Sequence, residues 1–194
     1  MNKKFLYLGV FTLTYLLLGG IYFLQDFNLE FVIYIAVIVA IFGGVLLLHK
    51  AVRFPMWMLW MLSIWGLMHV LGGAVPTSDG VLFAYRIFPF LDLGGEFYIL
   101  KYDQVVHFYL YGLVALMAHH ILTRSITAGT SGWLVSISAI LISVGVSALN
   151  EIMEFLISIF MVNGVGGYEN TMLDICFNLV GALIAVVVYN YFRK

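Results

Sequence analysis

Apolar residues run along this chain in blocks of about twenty, separated by short joints that hold most of the charge. Blocks of that length match the roughly 20 residues a helix needs to cross a bilayer. They predict six helices, at about 4–24, 29–48, 54–75, 104–122, 133–159 and 172–192. The first, FLYLGVFTLTYLLLGGIYFL after Lys3 and Lys4, is longer than the apolar core of a signal peptide. No small-x-small cleavage site follows it, so it reads as a retained span.

Composition agrees with the pattern. Of the 194 residues, 63% are hydrophobic and only 10% charged, with a mean hydropathy of +1.06. A soluble domain carries about 25% charged residues, and no polar stretch here is long enough to form one. The expectation is an all-α integral membrane protein, a six-helix transmembrane bundle forming a single polytopic domain over 1–194. A net charge of -1 gives no reason to propose a nucleic-acid partner. The lone Cys176 can form no internal disulfide and no paired-cysteine metal site.

The basic residues give an orientation. Lys3, Lys4, Lys50, Arg53, Arg124, Arg193 and Lys194 fall on one side of the drawn spans, and only Arg86 and Lys101 on the other. The positive-inside rule then places both termini in the cytoplasm of a multi-pass cell-membrane protein. Asp26, Glu30, Asp79, Asp92, Glu96 and Glu169 fall in the opposite, external joints. The long joint from Pro76 to Asp103 is external and rich in aromatics: Tyr85, Phe88, Phe90, Phe97 and Tyr98 suit the headgroup region. It reads as an interfacial loop, partly re-entrant, that could cover whatever lies beneath it. No internal repeat suggests an inverted-repeat transporter.

Against this frame the polar residues inside the spans gather at one depth. His69 lies at the external end of span 3, Asp103 and His107 open span 4, and Asn150, Glu151 and Glu154 occupy the external half of span 5. Asp174 and Asn178 open span 6. Spacings of three and four put each group on one helix face, and span 5 extends its stripe through Ser143, Ser147 and Ser158. Gly181, Ala182 and Ala185 continue below Asp174, as expected where helices approach closely. A carboxylate at mid-membrane costs about 2.5–3.5 kcal/mol on insertion scales. Two glutamates one turn apart therefore call for a proton on one of them or a cation between them.

Mixed nitrogen and oxygen donors suit Zn, Mn or Fe better than Ca. The residues predict a metal set of Asp103, His107, Glu151 and Asp174, with Glu151 and Glu154 in catalysis and Glu154 activating water or a substrate hydroxyl. His69, Arg86, Asn150 and Asn178 are expected to contact substrate, Arg86 by meeting an anionic headgroup. The partner is membrane lipid: a lipid or a polyprenyl-linked sugar or phosphate entering from the bilayer. Two other classes stand beside this one. A proton- or cation-coupled transporter would use the glutamates for exchange, but the inner halves of the spans lack charge. A structural or assembly protein would use every polar group as interhelical glue. His107 and His120, thirteen apart, could also hold stacked haems with His69 and His49, a scheme that leaves the four carboxylates unused. His49, His119 and His120 otherwise read as interfacial polar residues.

From span 3 onward the chain also resembles the YjdF-like family of small polytopic membrane proteins. The resemblance rests on His69 with HVLGG, on YDQVVHFYLYG from Tyr102 to Gly112, on NEIMEF from Asn150 to Phe155, and on TMLDICFNLVGA with Asp174 and Gly181. The family pattern has a second aspartate four residues before the one matching Asp174, where this chain has Asn170. The order Asp-x-x-x-His, glutamate, then Asp and Gly is more loosely similar to VanZ-like proteins. The family resemblance implies no reaction.

Overall fold

A computed structural model describes residues 3–25, 29–126, 130–160 and 167–193. Asp26 and Lys194, counted in the charge asymmetry, lie outside the described residues. The helices are α1 (Lys3–Gln25), α2 (Leu29–Val52), α3 (Met56–Ala74), α4 (Tyr102–Ser125), α5 (Gly132–Phe160) and α6 (Tyr168–Phe192). All six are long and apolar enough to cross a membrane, as predicted. They fall into two compact units, residues 1–85 and 86–194.

In the first unit α1 packs on α3. The Thr12 and Ser63 hydroxyls pair across this contact at 2.6 Å, which satisfies two polar groups that lipid could not. The aromatic and methionine run on α3 is mainly packing surface: Phe54, Met58, Leu59, Leu62 and Trp65 are buried, and Trp57 is exposed. After α3 a two-residue hairpin, β1 (Pro76–Thr77) with β2 (Gly80–Val81), leads into a single 3-10 turn at Leu82–Ala84. That turn lays the Phe83 ring 4.9 Å from the His69 ring.

The second unit opens with a longer antiparallel hairpin, β3 (Arg86–Gly94) and β4 (Phe97–Lys101). The joint expected to be an interfacial loop is thus largely a strand pair. Gly94 and Gly95 both take positive φ, +87° and +60°, which a tight hairpin turn demands and side-chain-bearing residues resist. β3 exposes apolar side chains throughout, including Phe88, Phe90 and Leu93, in keeping with an interfacial element. Tyr98 is buried, with the Arg86 guanidinium 4.9 Å above its ring.

Gln104 fastens this hairpin to α4. Its buried side-chain oxygen accepts from the Leu100 and Lys101 backbone N–H groups at 2.7 and 3.0 Å, and its nitrogen donates to the Tyr98 carbonyl at 2.9 Å. This cap explains why α4 begins earlier than hydropathy predicts. Helices α4 and α6 then approach closely through glycine: a Cβ at Gly181 would collide with the Phe108 carbonyl, and one at Gly112 would stand 3.1 Å from the Gly181 carbonyl oxygen. Below them Ala115, Ala182 and Val186 form a closed apolar core. Helix α5 buries one narrow stripe, Val135, Ala139, Ser143, Ser147 and Glu151, spaced at every fourth residue, and Ser143 donates to the Tyr111 carbonyl on α4 at 2.7 Å.

Candidate metal centre

The hairpin end of the second unit brings most of the predicted residues together. Asp103 and His107, one turn apart on α4, place a carboxylate oxygen 3.7 Å from Nε2 of the imidazole. Across the helix interface Asp174 completes a trio, in which one ligand atom from each of Asp103, His107 and Asp174 lies within 4.8 Å of the others. Donors bound at about 2.1 Å in a tetrahedral shell stand about 3.4 Å apart, so small side-chain movements would seat an ion among these three.

Glu151 approaches from α5, with Oε1 3.6 Å from His107 Nδ1. The same Nδ1 lies 3.1 Å from Oδ1 of Asn178 on α6. Two acceptors on one side of the ring favour the tautomer with hydrogen on Nδ1. Nε2 then carries the lone pair, facing Asp103, in the arrangement by which an outer partner orients a ligating histidine.

Asp174 is oriented from the other side. Asn170, one turn earlier on α6, donates through Nδ2 to Asp174 Oδ2 at 2.7 Å. The Asn170 oxygen accepts from Lys101 Nζ at 2.9 Å, which fixes which end of the amide points at Asp174. A neutral amide at this position can bridge the lysine to the aspartate. Glu96 adds a second tie between hairpin and α6 by accepting from the Gly167 N–H at 2.7 Å.

Several buried polar atoms here have no hydrogen-bond partner among the described residues: both oxygens of Glu151, Oδ1 of Asp174, Nδ2 of Asn178 and Oγ of Ser147. Glu151 is 5% exposed and Asp174 1%. Leaving such carboxylates bare is costly, and a shared proton or a bound cation is the available remedy. The donor set is nitrogen and oxygen.

Other predicted residues take different places. Glu154 is half-buried and accepts from Asn150 Nδ2 at 2.7 Å, so Asn150 holds this carboxylate. The α5 stripe ends there, because Ser158 is exposed and bonds the Phe155 carbonyl of its own helix. Arg86 is tied into the hairpin, 3.9 Å from Asp92 and bonded to the Gly95 carbonyl at 3.2 Å. His69 belongs to the first unit, where the rings of Tyr34, Trp65 and Phe83 surround it at 4.9–5.6 Å. His119 is buried, at 4% exposure, edge-on to Tyr189. Sequence reasoning missed Lys101 and Gln104 as site-shaping residues, although Gln104 stands in the first turn of a helix that opens with Asp103.

No curated relative and no solved structure matches the chain. A family model described as "Predicted membrane protein (DUF2238)" matches residues 5–194, nearly the whole length, in agreement with the YjdF-like motifs. The chain belongs to this family of predicted membrane proteins.

Proposed function

We propose that the second unit binds one divalent transition metal on Asp103, His107 and Asp174, with Glu151 beside it, and that the protein is a membrane enzyme acting on a lipid-linked substrate. The observation that carries this is the conjunction of three ligand atoms from two helices within 4.8 Å and buried carboxylate oxygens that lack partners. A bound metal would polarise a substrate oxygen or acidify a water. Glu151, with Oε1 3.6 Å from His107 Nδ1, would exchange a proton with that ring, and Glu154, which accepts from Asn150, would take one from water or a hydroxyl. The exposed apolar hairpin suits a substrate that arrives from the bilayer, in hydrolysis or group transfer. The basic residues support cytoplasmic termini in the cell membrane, and with that orientation this centre would lie in the outer leaflet.

The closed apolar core below the cluster, Ala115, Ala182 and Val186, speaks against a continuous ion path and so against transport. Metal analysis of the detergent-purified protein tests the proposal. Near one equivalent of zinc, manganese or iron is expected in the wild type and little in His107→Ala or Asp174→Asn, while Glu154→Gln keeps the metal and loses turnover of lipid-linked phosphates or sugars. Metal-free wild type that stays folded after metal is added back and still binds none would sink the idea.

A further inference from the structure

The end of the second unit away from the hairpin holds a cavity of about 610 Å³. Its wall comes from the end of α4, the start of α5, the end of α6 and Ile126 and Thr130 between the first two, and its polar members are His119, Thr123, Thr130, Ser136, Asn190 and Arg193, with Trp133 beside them. His119 lies twelve residues beyond His107 on the same helix, about 18 Å along its axis, so this cavity is separate from the carboxylate cluster.

Its chemistry is the opposite of that cluster. None of the chain's ten acidic residues falls between His119 and Ser136 or after Asp174. Arg193 and His119 flank one ring: the guanidinium is 5.8 Å from the Tyr189 centroid, and the imidazole meets the same ring edge-on at 5.4 Å. His119 Nδ1 is buried without a hydrogen-bond partner among the described residues. Ser136 Oγ accepts from Asn190 Nδ2 at 2.9 Å and donates its own hydrogen to the Gly132 carbonyl at 2.9 Å, which leaves the second Asn190 amide hydrogen to be donated elsewhere. The 29-residue helix α5 begins in this wall with no acidic residue in its first turn. The positive-inside rule accounts for a surface arginine, but not for a buried imidazole with a spare nitrogen lining a polar cavity beside it.

We propose that this cavity binds the phosphate group of an anionic lipid headgroup. Arg193 supplies the charge, His119 and the second amide hydrogen of Asn190 supply hydrogen bonds, and Trp133, exposed at this end, sits where an aromatic side chain meets the headgroup layer. Arginine presents a planar fork that matches phosphate oxygens.

The test uses the full chain in lipid-free detergent, titrated with dihexanoyl phosphatidic acid, dihexanoylglycerol and inorganic phosphate while thermal stability and tryptophan fluorescence are followed. The phosphatidic acid should bind and stabilise, the uncharged glyceride should not, and Trp133→Phe should remove the fluorescence response. Arg193→Gln, an exposed change that leaves the fold intact, should weaken binding by about tenfold or more, the loss expected for a charge-assisted hydrogen bond. His119→Gln should weaken it too. Inorganic phosphate matching the lipid, with the same sensitivity to Arg193→Gln, would support the phosphate site and assign it to a soluble ligand instead of a lipid. Equal binding by wild type and Arg193→Gln, or an equal response to the glyceride, would overturn the proposal. Asp174→Asn serves as the control, because a site independent of the metal centre keeps its full response there; loss in that variant would also overturn it.

Discussion

His69 and His107 both stand near one end of a membrane-spanning helix, yet their surroundings differ completely. His69, in the first unit, sits among the rings of Tyr34, Trp65 and Phe83. His107, in the second, has Asp103 on one side of its imidazole and Asn178 and Glu151 on the other. Hydropathy treats the two helices alike, and each passes as a span. What separates them is the chemistry that long-range packing brings to each ring. A histidine in an apolar helix is therefore not a site until its neighbours are known.

That contrast can be broken or sharpened by substitution. The largest effect should be on metal content: His107→Ala falls from near one equivalent to near none by elemental analysis, whereas His69→Gln keeps the wild-type value. Metal loss in His69→Gln would erase the distinction between the two rings. Next in size is Gly181→Val, which forces side-chain atoms against the Phe108 carbonyl and should cost about 1–3 kcal/mol of stability by thermal unfolding in detergent. Because α4 and α6 carry the ligands between them, it should lower metal affinity as well. Gln104→Ala removes three hydrogen bonds at the hairpin base, and amide hydrogen exchange should quicken over residues 97–104 with little change elsewhere. The smallest effect belongs to Ser143→Ala, about 0.6 kcal/mol, since Tyr111 loses only a side-chain donor to its carbonyl.

The six helices were legible because lipid imposes a length and an apolarity that a linear sequence displays directly. The pairs Asp103 with His107 and Glu151 with Glu154 were legible for a similar reason, since spacing along a helix fixes the face. The β3–β4 hairpin was harder to see: Ile87, Phe88, Phe90, Leu91 and Leu93 are apolar on both faces of β3, which hides the period-two alternation of a strand. The paired glycines Gly94 and Gly95 were its clearest local signal. The link from Lys101 to Asn170 joins residues 69 positions apart and left no local trace. Grouping of the helices into two units, likewise, depends on contacts that no window of sequence contains.

X-ray absorption at the edge of the bound metal tests the central claim most directly. One imidazole nitrogen with carboxylate oxygens at about 2.0–2.2 Å, and loss of the imidazole signal in His107→Ala, is the predicted result. A sulfur scatterer from Cys176, several imidazoles, or a first shell unchanged by His107→Ala would contradict it.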